Sequence, residues 1–192
     1  ERRNLAWLRK GEYEGLASKL QQIDFLPDYG KAEFNAKSGI VIIGARPFLV
    51  AYNVNLTTKN VTIAKQIALK IRENSETGLR KVKAIGWYID EFDKVQVSTN
   101  ITDFTFTPVY EVFEAVKKWA LAFDTEVSGS ELVGMIPLKA IADCGIHFLK
   151  SNGKNHYLPH SELVEYGAIY LNLNEIKPFE ATKKVIEYAL NL

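Results

Sequence analysis

Apolar residues follow two different spacings in the first half of the chain, and each spacing predicts one type of element. From Phe48 to Leu56 every second residue is apolar, which is the period of a strand with one buried face. After Asn60, which can cap a helix, apolar residues recur at helical spacing from Ile63 to Ile71. The pattern therefore predicts a strand followed by an amphipathic helix.

Further strands and helices are predicted along the rest of the chain. Gly78 precedes a second predicted strand, KVKAIGWYID, and an acidic turn at residues 91–94 leads into a third, VQVSTNITDF. A helix is predicted after Pro108, and its apolar stripe is Val109, Val112, Phe113, Val116, Trp119, Ala120 and Phe123. A fourth strand, TEVSGSELVGMI, precedes Pro137 and a helix that ends near Gly153.

This order, strand–helix–strand–strand–helix–strand, is the pattern of a ferredoxin-like α/β sandwich of the α+β class. In that architecture a four-stranded antiparallel sheet carries its helices on one face and leaves the other face open. Val112, Phe113, Val116 and Trp119 of the helix after Pro108 are predicted to be buried against the helix-covered face of the sheet. Helices are also predicted at the N terminus, over residues 2–23 with a break near Gly11, and at the C terminus, from Ser161 and after Pro178.

A row of uncharged polar side chains marks the other face of the predicted sheet. Gln96, Ser98 and Asn100 alternate with apolar residues in the third strand, and Asn53 and Asn55 can join them from the first strand. Solvated strands usually carry Lys, Glu and Arg, and asparagine is a poor strand former. The presence of uncharged polar residues, including two asparagines, in these strands therefore needs an explanation. It is either a solvated outer face or a ligand-binding surface whose amides and hydroxyls fix a polar ligand.

Glycine and proline are frequent in residues 26–47, ahead of the first strand. Gly30 and Gly39 either supply positive φ or let a flat ligand approach the backbone, unless the segment is a simple connecting loop. Arg46 either clamps a carboxylate with two hydrogen bonds or serves the fold, by capping a strand end or by pairing with an acid. The segment is therefore a candidate site for an anionic ligand.

Composition and charge narrow the functional classes. The 192 residues are 47% hydrophobic and 24% charged, which is typical of a globular domain, and the net charge of +1 includes no long run of either sign. A broad nucleic-acid surface or a polybasic membrane patch is therefore not expected. No apolar run reaches the roughly 18 residues that cross a bilayer. The single cysteine, Cys144, excludes an internal disulfide framework and fits a reducing cytoplasm.

Few residues have catalytic potential. None of the three histidines, His147, His156 and His160, has a partner at catalytic or metal-ligand spacing. Cys144 has apolar neighbours in a predicted helix and is interpreted as a small core residue. The sequence therefore predicts no metal site and no self-contained catalytic centre.

Several blocks of the sequence resemble glutamate formimidoyltransferase (glutamate formiminotransferase): PDYG, GARPFLVAYNVNL, KAIGWYIDEFDKVQVSTNITDF and GSELVGMIPLKAI. The opening NLAWLRKGEYEGL and the closing Pro178–Phe179 with Val185–Tyr188 match the family's flanks, so the resemblance covers nearly the whole chain. It implies two α/β subdomains whose sheets face each other across a ligand tunnel. Residues 26–192 would be the C-terminal subdomain, and residues 1–25 a helical lead-in that ends a missing N-terminal subdomain.

The resemblance also implies an activity. The family transfers the formimino group of N-formimino-L-glutamate to the co-substrate tetrahydrofolate, in the cytoplasm, as a step of histidine degradation. Its folate-binding stretch maps onto residues 30–39, where Gly30, Phe34 and Gly39 match the pattern. In the family the polar strand face lines the tunnel. The general acid/base histidine of the family lies in the N-terminal subdomain, so no catalytic residue is expected in this chain and the isolated chain is expected to be inactive.

A second interpretation belongs to a different functional class. The chain could be a non-catalytic ferredoxin-like module that binds a ligand or pairs its sheet face with another domain. Upstream sequence would distinguish the two interpretations, since a histidine-bearing α/β subdomain there supports the transferase. In that case the partners are tetrahydrofolate, N-formimino-L-glutamate and the chain's own N-terminal subdomain. The sequence leaves a homodimer open.

Overall fold

Residues 4–192 are described by the computed structural model, and the chain divides at Arg46 and Pro47 into two units. The first unit contains two short helices, α1 (Leu5–Arg9) and α2 (Leu16–Lys19), and a 3-10 turn at Ile23–Phe25. The break predicted near Gly11 separates α1 from α2, and Gly11 has a φ of +83°. The first three residues of the predicted lead-in lie outside the described residues.

The second unit has the predicted order of strands and helices. Its elements are β1 (Val50–Leu56), α3 (Val61–Ile71), β2 (Val82–Ile89), β3 (Lys94–Ile101), α4 (Val109–Ala122) and β4 (Val127–Val133). The four strands form one antiparallel sheet in the order β2-β3-β1-β4, and a 3-10 turn at Asp90–Phe92 joins β2 to β3. This confirms the predicted class: an α+β, four-stranded antiparallel sheet with helices, consistent with a ferredoxin-like arrangement.

Four further helices follow the sheet: α5 (Leu138–Ser151), α6 (His160–Tyr170), α7 (Ala181–Lys184) and α8 (Ile186–Ala189). The predicted C-terminal helices are therefore one longer helix and two single turns. α6 begins one residue before Ser161, with Pro159 in the capping position. Val185, between α7 and α8, is fully buried.

The core lies between one face of the sheet and the helices. Tyr52, Val54 and Val97 are fully buried there, and Val112, Phe113 and Val116 of α4 belong to the same cluster, as predicted. The prediction for Trp119 was wrong in degree, because this side chain is only half-buried at the edge of the cluster. Its ring instead lies beneath the ammonium groups of Lys70 and Lys118, at 5.1 and 5.9 Å from the ring centroid. Trp119 thus covers the rim of the core and meets lysines at the surface.

Strand register places the polar row on the face opposite the helices. Asn53 lies across from Ser98, and Asn55 lies across from Gln96, in the β1–β3 pairing. Because side chains alternate between faces, these residues share one face with Asn100. The predicted register of the third strand is therefore confirmed. This surface is called the open face below.

A C-terminal segment, residues 171–192, covers the outer edge of β4. The Ser130 backbone N–H donates to the Asn172 carbonyl at 3.2 Å, and the Asn172 side chain donates to the Ser128 carbonyl at 2.7 Å. Further on, the Ile136 N–H donates to the Lys184 carbonyl at 2.8 Å. These bonds satisfy an edge strand that would otherwise leave backbone groups unpaired. Along this segment the chain passes from the helix side of the sheet to the open face.

No helix in the described part of the chain combines the length and apolarity needed to cross a membrane.

Replacement of Phe113 by alanine tests the position of the core. Phe113 is 5% exposed, so Phe113→Ala should lower the free energy of unfolding by about 3–5 kcal/mol through lost burial and a residual cavity. The matched control is Leu121→Ala in the same helix, because Leu121 is 65% exposed and its loss should cost less than about 0.5 kcal/mol. Denaturant unfolding measures both. Equal losses for the two variants would contradict this arrangement of α4.

Candidate functional site

The centre of the open face is the side chain of Gln96, which is fully buried although the helices lie on the opposite side of the sheet. Its amide nitrogen donates to the Asn55 side-chain oxygen at 2.6 Å and to Glu131 Oε2 at 3.2 Å. Its amide oxygen accepts from the Trp87 indole N–H at 3.2 Å. Both amide hydrogens and the carbonyl oxygen are thus engaged, as burial of a polar group requires.

Asn55 extends this network to a carboxylate from the C-terminal segment. Its amide nitrogen donates to Glu175 Oε2 at 2.6 Å, and the other oxygen of Glu175 accepts from the Lys94 ammonium group at 2.6 Å. Burial alone would raise the pKa of the Glu175 carboxyl group, but hydrogen bonds from Asn55, Lys94 and Ser128 outweigh it and lower the pKa below its usual value. Glu175 is therefore ionised at neutral pH and acts only as an acceptor.

A second carboxylate, Glu131 of β4, lies directly across from Asn53 in the strand pairing. Its Oε2 atom accepts from Gln96 and, at 3.4 Å, from the Asn53 amide nitrogen. Its Oε1 atom has no hydrogen-bond partner among residues 4–192. Glu131 is also one of the residues that line a recess of about 380 Å³, together with Ile176 and Phe179. Its Oε1 atom can therefore accept a further hydrogen bond from a ligand bound beside it.

The directions of these hydrogen bonds decide what the open face offers to a ligand. Carboxylates accept only, so the amide nitrogens of Asn53, Asn55 and Gln96 must point toward them. Each of these amides thus turns at least one N–H group toward a carboxylate, whereas Glu131 Oε1 and the amide oxygen of Asn53 accept no hydrogen bond from residues 4–192. The site is therefore complementary to a polar ligand that is rich in N–H donors, and above all to a cation.

The structure brings three of the five predicted sheet residues, Asn53, Asn55 and Gln96, into one hydrogen-bonded network. Ser98 and Asn100 lie on the same face at the next positions of β3; Ser98 is half-buried and Asn100 is exposed. Burial of the three amides argues against a simple solvated face, the alternative that the sequence left open. The role of all five residues in binding stays a prediction.

The other predicted site residues lie in the first unit. Gly30 and Gly39 have φ angles of +87° and +61°, which confirms that the loop uses them for left-handed backbone. The Phe34 ring packs against the Tyr13 ring with centroids 5.5 Å apart, beside an open concavity of about 1340 Å³ that Phe34 and Gly39 also line. Arg46 ends this unit and is exposed. The binding roles of Gly30, Phe34, Gly39 and Arg46 stay predictions.

Histidine and cysteine side chains are engaged elsewhere in the second unit. The His147 ring stacks on Tyr110 of α4 with centroids 4.2 Å apart, which places it among the helices. His156 contacts the Tyr157 ring in the loop before α6. Cys144 is fully buried, and burial raises the pKa of its thiol, so it is not a nucleophile. Within residues 4–192 no group of three or more His, Cys, Asp and Glu side chains converges as metal ligands.

Four members of the network were missed by sequence reasoning: Trp87, Lys94, Glu131 and Glu175. A signal existed for Trp87 and Glu131, because each occupies an alternate position of its strand and the correct register would have placed it on the open face. Lys94 was assigned to the turn before β3. Glu175 had no local signal, since it lies 120 residues from its partner Asn55.

Comparison with family models gives two matches along the chain. A model described as "Formiminotransferase domain" matches residues 51–191, and one described as "Formiminotransferase domain, N-terminal subdomain" matches residues 1–46. The interval between the matches includes the boundary at Arg46 and Pro47 between the two structural units.

Individual relatives agree with these matches. The chain is 39% identical to the glutamate formimidoyltransferase of Streptococcus pyogenes serotype M1 over 165 residues, which are 86% of this chain and 54% of that protein. It is 37% identical to the glutamate formimidoyltransferase of Thermoplasma acidophilum over 155 residues, 80% of this chain and 50% of that protein. It is 40% identical to the formimidoyltransferase-cyclodeaminase of Gallus gallus over 193 residues, 97% of this chain and 35% of that protein. The chain therefore spans between about a third and about half of the length of these relatives.

Replacement of Gln96 tests whether the network is formed. Gln96→Ala removes partners from Asn55, Glu131 and Trp87 and should lower the free energy of unfolding by about 1–3 kcal/mol, the cost of leaving buried polar groups unsatisfied. Asn100→Ala, on the same face of the same strand, is the matched control and should change it by less than about 0.5 kcal/mol, because Asn100 is exposed. Thermal and denaturant unfolding measure the difference. Two variants of equal stability would show that Gln96 is solvated.

Proposed function

Because the chain belongs to the formiminotransferase family, we propose that it is the folate- and substrate-binding half of a glutamate formimidoyltransferase. The intact enzyme transfers the formimino group of N-formimino-L-glutamate to tetrahydrofolate, in the cytoplasm and as a step of histidine degradation. In this proposal residues 1–46, which match the N-terminal subdomain model, belong to one subdomain, and residues 51–191 supply the other. The observation that carries this proposal is the buried network of the open face, which leaves Glu131 and Asn53 as acceptors.

The formimino group has the chemistry that these acceptors require. It is an amidine, a strong base that is protonated at neutral pH, and its nitrogens then carry only N–H donors. A carboxylate binds such a planar cation with charge-assisted and, in the best geometry, paired hydrogen bonds. We assign this role to Glu131, whose Oε1 atom is available and whose Oε2 atom is already oriented by Gln96 and Asn53. Ser98 and Asn100 extend the same polar surface toward the rest of the substrate.

The chemistry of formimino transfer determines which other groups the enzyme needs. A nitrogen of tetrahydrofolate forms a bond to the formimino carbon, the bond from that carbon to the glutamate nitrogen breaks, and one proton moves from the attacking nitrogen to the leaving one. The open face contributes orientation, because it holds the formimino carbon in place for attack. Proton transfer needs a general acid/base. His147 is stacked among the helices, so we assign that role to a histidine of the N-terminal subdomain, outside this chain.

Tetrahydrofolate ends in a glutamate tail, and we assign the binding of this folate to the first unit considered by itself. An exposed guanidinium such as that of Arg46 is a suitable partner for a carboxylate. The loop from Gly30 to Gly39 borders a concavity in which Phe34 offers an aromatic face. A flat pterin ring can stack on such a face. The non-catalytic module that the sequence left open is not favoured, because the family match covers residues 51–191.

Reconstitution tests the proposed division of labour. The 192-residue chain alone should bind folate weakly and show no formimino transfer, because it provides binding groups but no proton-handling histidine on the open face. Addition of the part of the Streptococcus pyogenes enzyme that lies outside the matched region should restore turnover of N-formimino-L-glutamate and tetrahydrofolate. Turnover by the chain alone, at the rate of the intact relative, would place the catalytic group among residues discussed above as structural.

Replacement of Glu131 tests the assignment of the formimino group. In the reconstituted enzyme, Glu131→Gln should raise KM for N-formimino-L-glutamate at least about tenfold, since a hydrogen bond between charged groups is worth about 1.5–3 kcal/mol. KM for tetrahydrofolate should not change. The control is Glu165→Gln, because Glu165 is exposed in α6 and does not line the recess beside Glu131. An unchanged KM for N-formimino-L-glutamate would remove Glu131 from the site.

A further inference from the structure

Glu175 reaches the open face from the C-terminal segment and not from the sheet. Its carboxylate lies between Lys94 of β3 and Asn55 of β1, and its side chain is 14% exposed. Gly129 of β4 makes room for it, because a Cβ atom at position 129 would lie 2.6 Å from the Cβ atom of Glu175. Glu175 can therefore occupy this position because residue 129 has no side chain.

Only a carboxylate satisfies both neighbours of this position. The Lys94 ammonium group and the Asn55 amide nitrogen are both donors, and each meets a different oxygen of Glu175. A glutamine at the same place has one oxygen, so its own nitrogen would face one of the two donors. The stronger, charge-assisted bond to Lys94 would take the oxygen and leave Asn55 facing an N–H group.

Reversal of the Asn55 amide would then pass along the network. Its nitrogen would turn toward Gln96, whose amide nitrogen now donates to the Asn55 oxygen at 2.6 Å. Gln96 would have to turn as well, which would place its nitrogen against the Trp87 indole N–H and withdraw its donor from Glu131. One carboxylate at the edge of the face therefore determines the direction of two buried amides.

We propose that Glu175 is a positioning residue: by accepting from both Lys94 and Asn55, it fixes the Asn55 and Gln96 amides in the direction that orients Glu131 toward the substrate. The proposal rests on the function proposed above for the open face. Glu175 does not touch the reacting atoms and acts only through Asn55 and Gln96.

The backbone around Glu175 is anchored, which suits a fixed positioning role. The Ser130 hydroxyl donates to the Leu171 carbonyl, the Ser130 N–H donates to the Asn172 carbonyl, and the Phe179 N–H donates to the Asn174 side chain at 2.8 Å. These bonds lie on both sides of Glu175 in the sequence. The carboxylate is thus held in place by the segment as well as by its own partners.

The indole N–H of Trp87 reports on this orientation without any enzyme assay. The chain has three tryptophans, so its ¹H–¹⁵N spectrum contains three indole signals, and Trp87→Phe identifies the one from Trp87. Glu175→Gln should move the Trp87 indole proton upfield, because its acceptor on Gln96 is withdrawn. Glu180→Gln, in the same segment, should leave it unchanged.

A double variant separates positioning from packing. In Lys94→Met/Glu175→Gln the competing ammonium group is absent, so the oxygen of the introduced amide can again accept from Asn55 and the Trp87 signal should return to its original position. If Glu175 had only a packing role, the Trp87 signal of the double variant would be shifted further from its original position than that of the single variant. If Glu175→Gln does not fold, Gly129→Ala displaces the same carboxylate and should also move the Trp87 signal.

Two results would overturn the proposal: an unmoved Trp87 signal in folded Glu175→Gln, or a double variant that fails to restore it. In the reconstituted enzyme, Glu175→Gln should raise KM for N-formimino-L-glutamate about fivefold or more with kcat nearly unchanged, and the double variant should recover most of it. If no variant shows turnover, the proposed function fails, but the indole signals still decide the role of Glu175. If turnover is present but the Trp87 signals contradict the proposal, only the positioning role of Glu175 is wrong, and the proposed function stands.

Discussion

The cost of burying unsatisfied amides is the constraint on which the open face depends. Gln96 and Asn55 are fully buried, and each lost partner would cost about 1–3 kcal/mol. Strand side chains meet this demand for Gln96, whose amide nitrogen donates to Asn55 and Glu131, but the Asn55 amide nitrogen needs a further acceptor. Glu175 provides the second carboxylate from outside the sheet. The polar face, the small residue at Gly129 and the path of the C-terminal segment are therefore linked by one requirement.

This requirement connects stability to binding. The partners that make burial of the amides tolerable also turn N–H donors inward, so the surface left to a ligand includes acceptors on Glu131 and Asn53. A rigid, pre-oriented carboxylate binds a cationic formimino group with little reorganisation, which is an advantage in catalysis. In the proposed function the face supplies recognition and orientation, and the group for proton transfer comes from the other subdomain. This difference between binding groups and the proton-transfer group is why we divide the proposed roles between two subdomains.

Much of the fold could be predicted from local sequence pattern, whereas the candidate site could be predicted only in part. Alternation in β1 and β3 placed Asn53, Asn55 and Gln96 on one face, and helical spacing identified the core stripe from Val112 to Val116. Trp119 was misjudged because lysine stems and cation–π contacts hold it at the rim, which an apolar stripe does not reveal. Glu175 was not predictable, because its position depends on the route of the chain around β4 and on contacts 120 residues apart.

A crystal structure of the enzyme with bound N-formimino-L-glutamate tests the central claim most directly. The account predicts that the formimino nitrogens lie about 2.7–3.2 Å from the Glu131 carboxylate, a normal hydrogen-bond distance, with Gln96 still bonded to Glu131 Oε2. It also predicts that the Asn53 amide oxygen faces the ligand. A formimino group bound away from the open face, with Glu131 directed to solvent, would contradict the account.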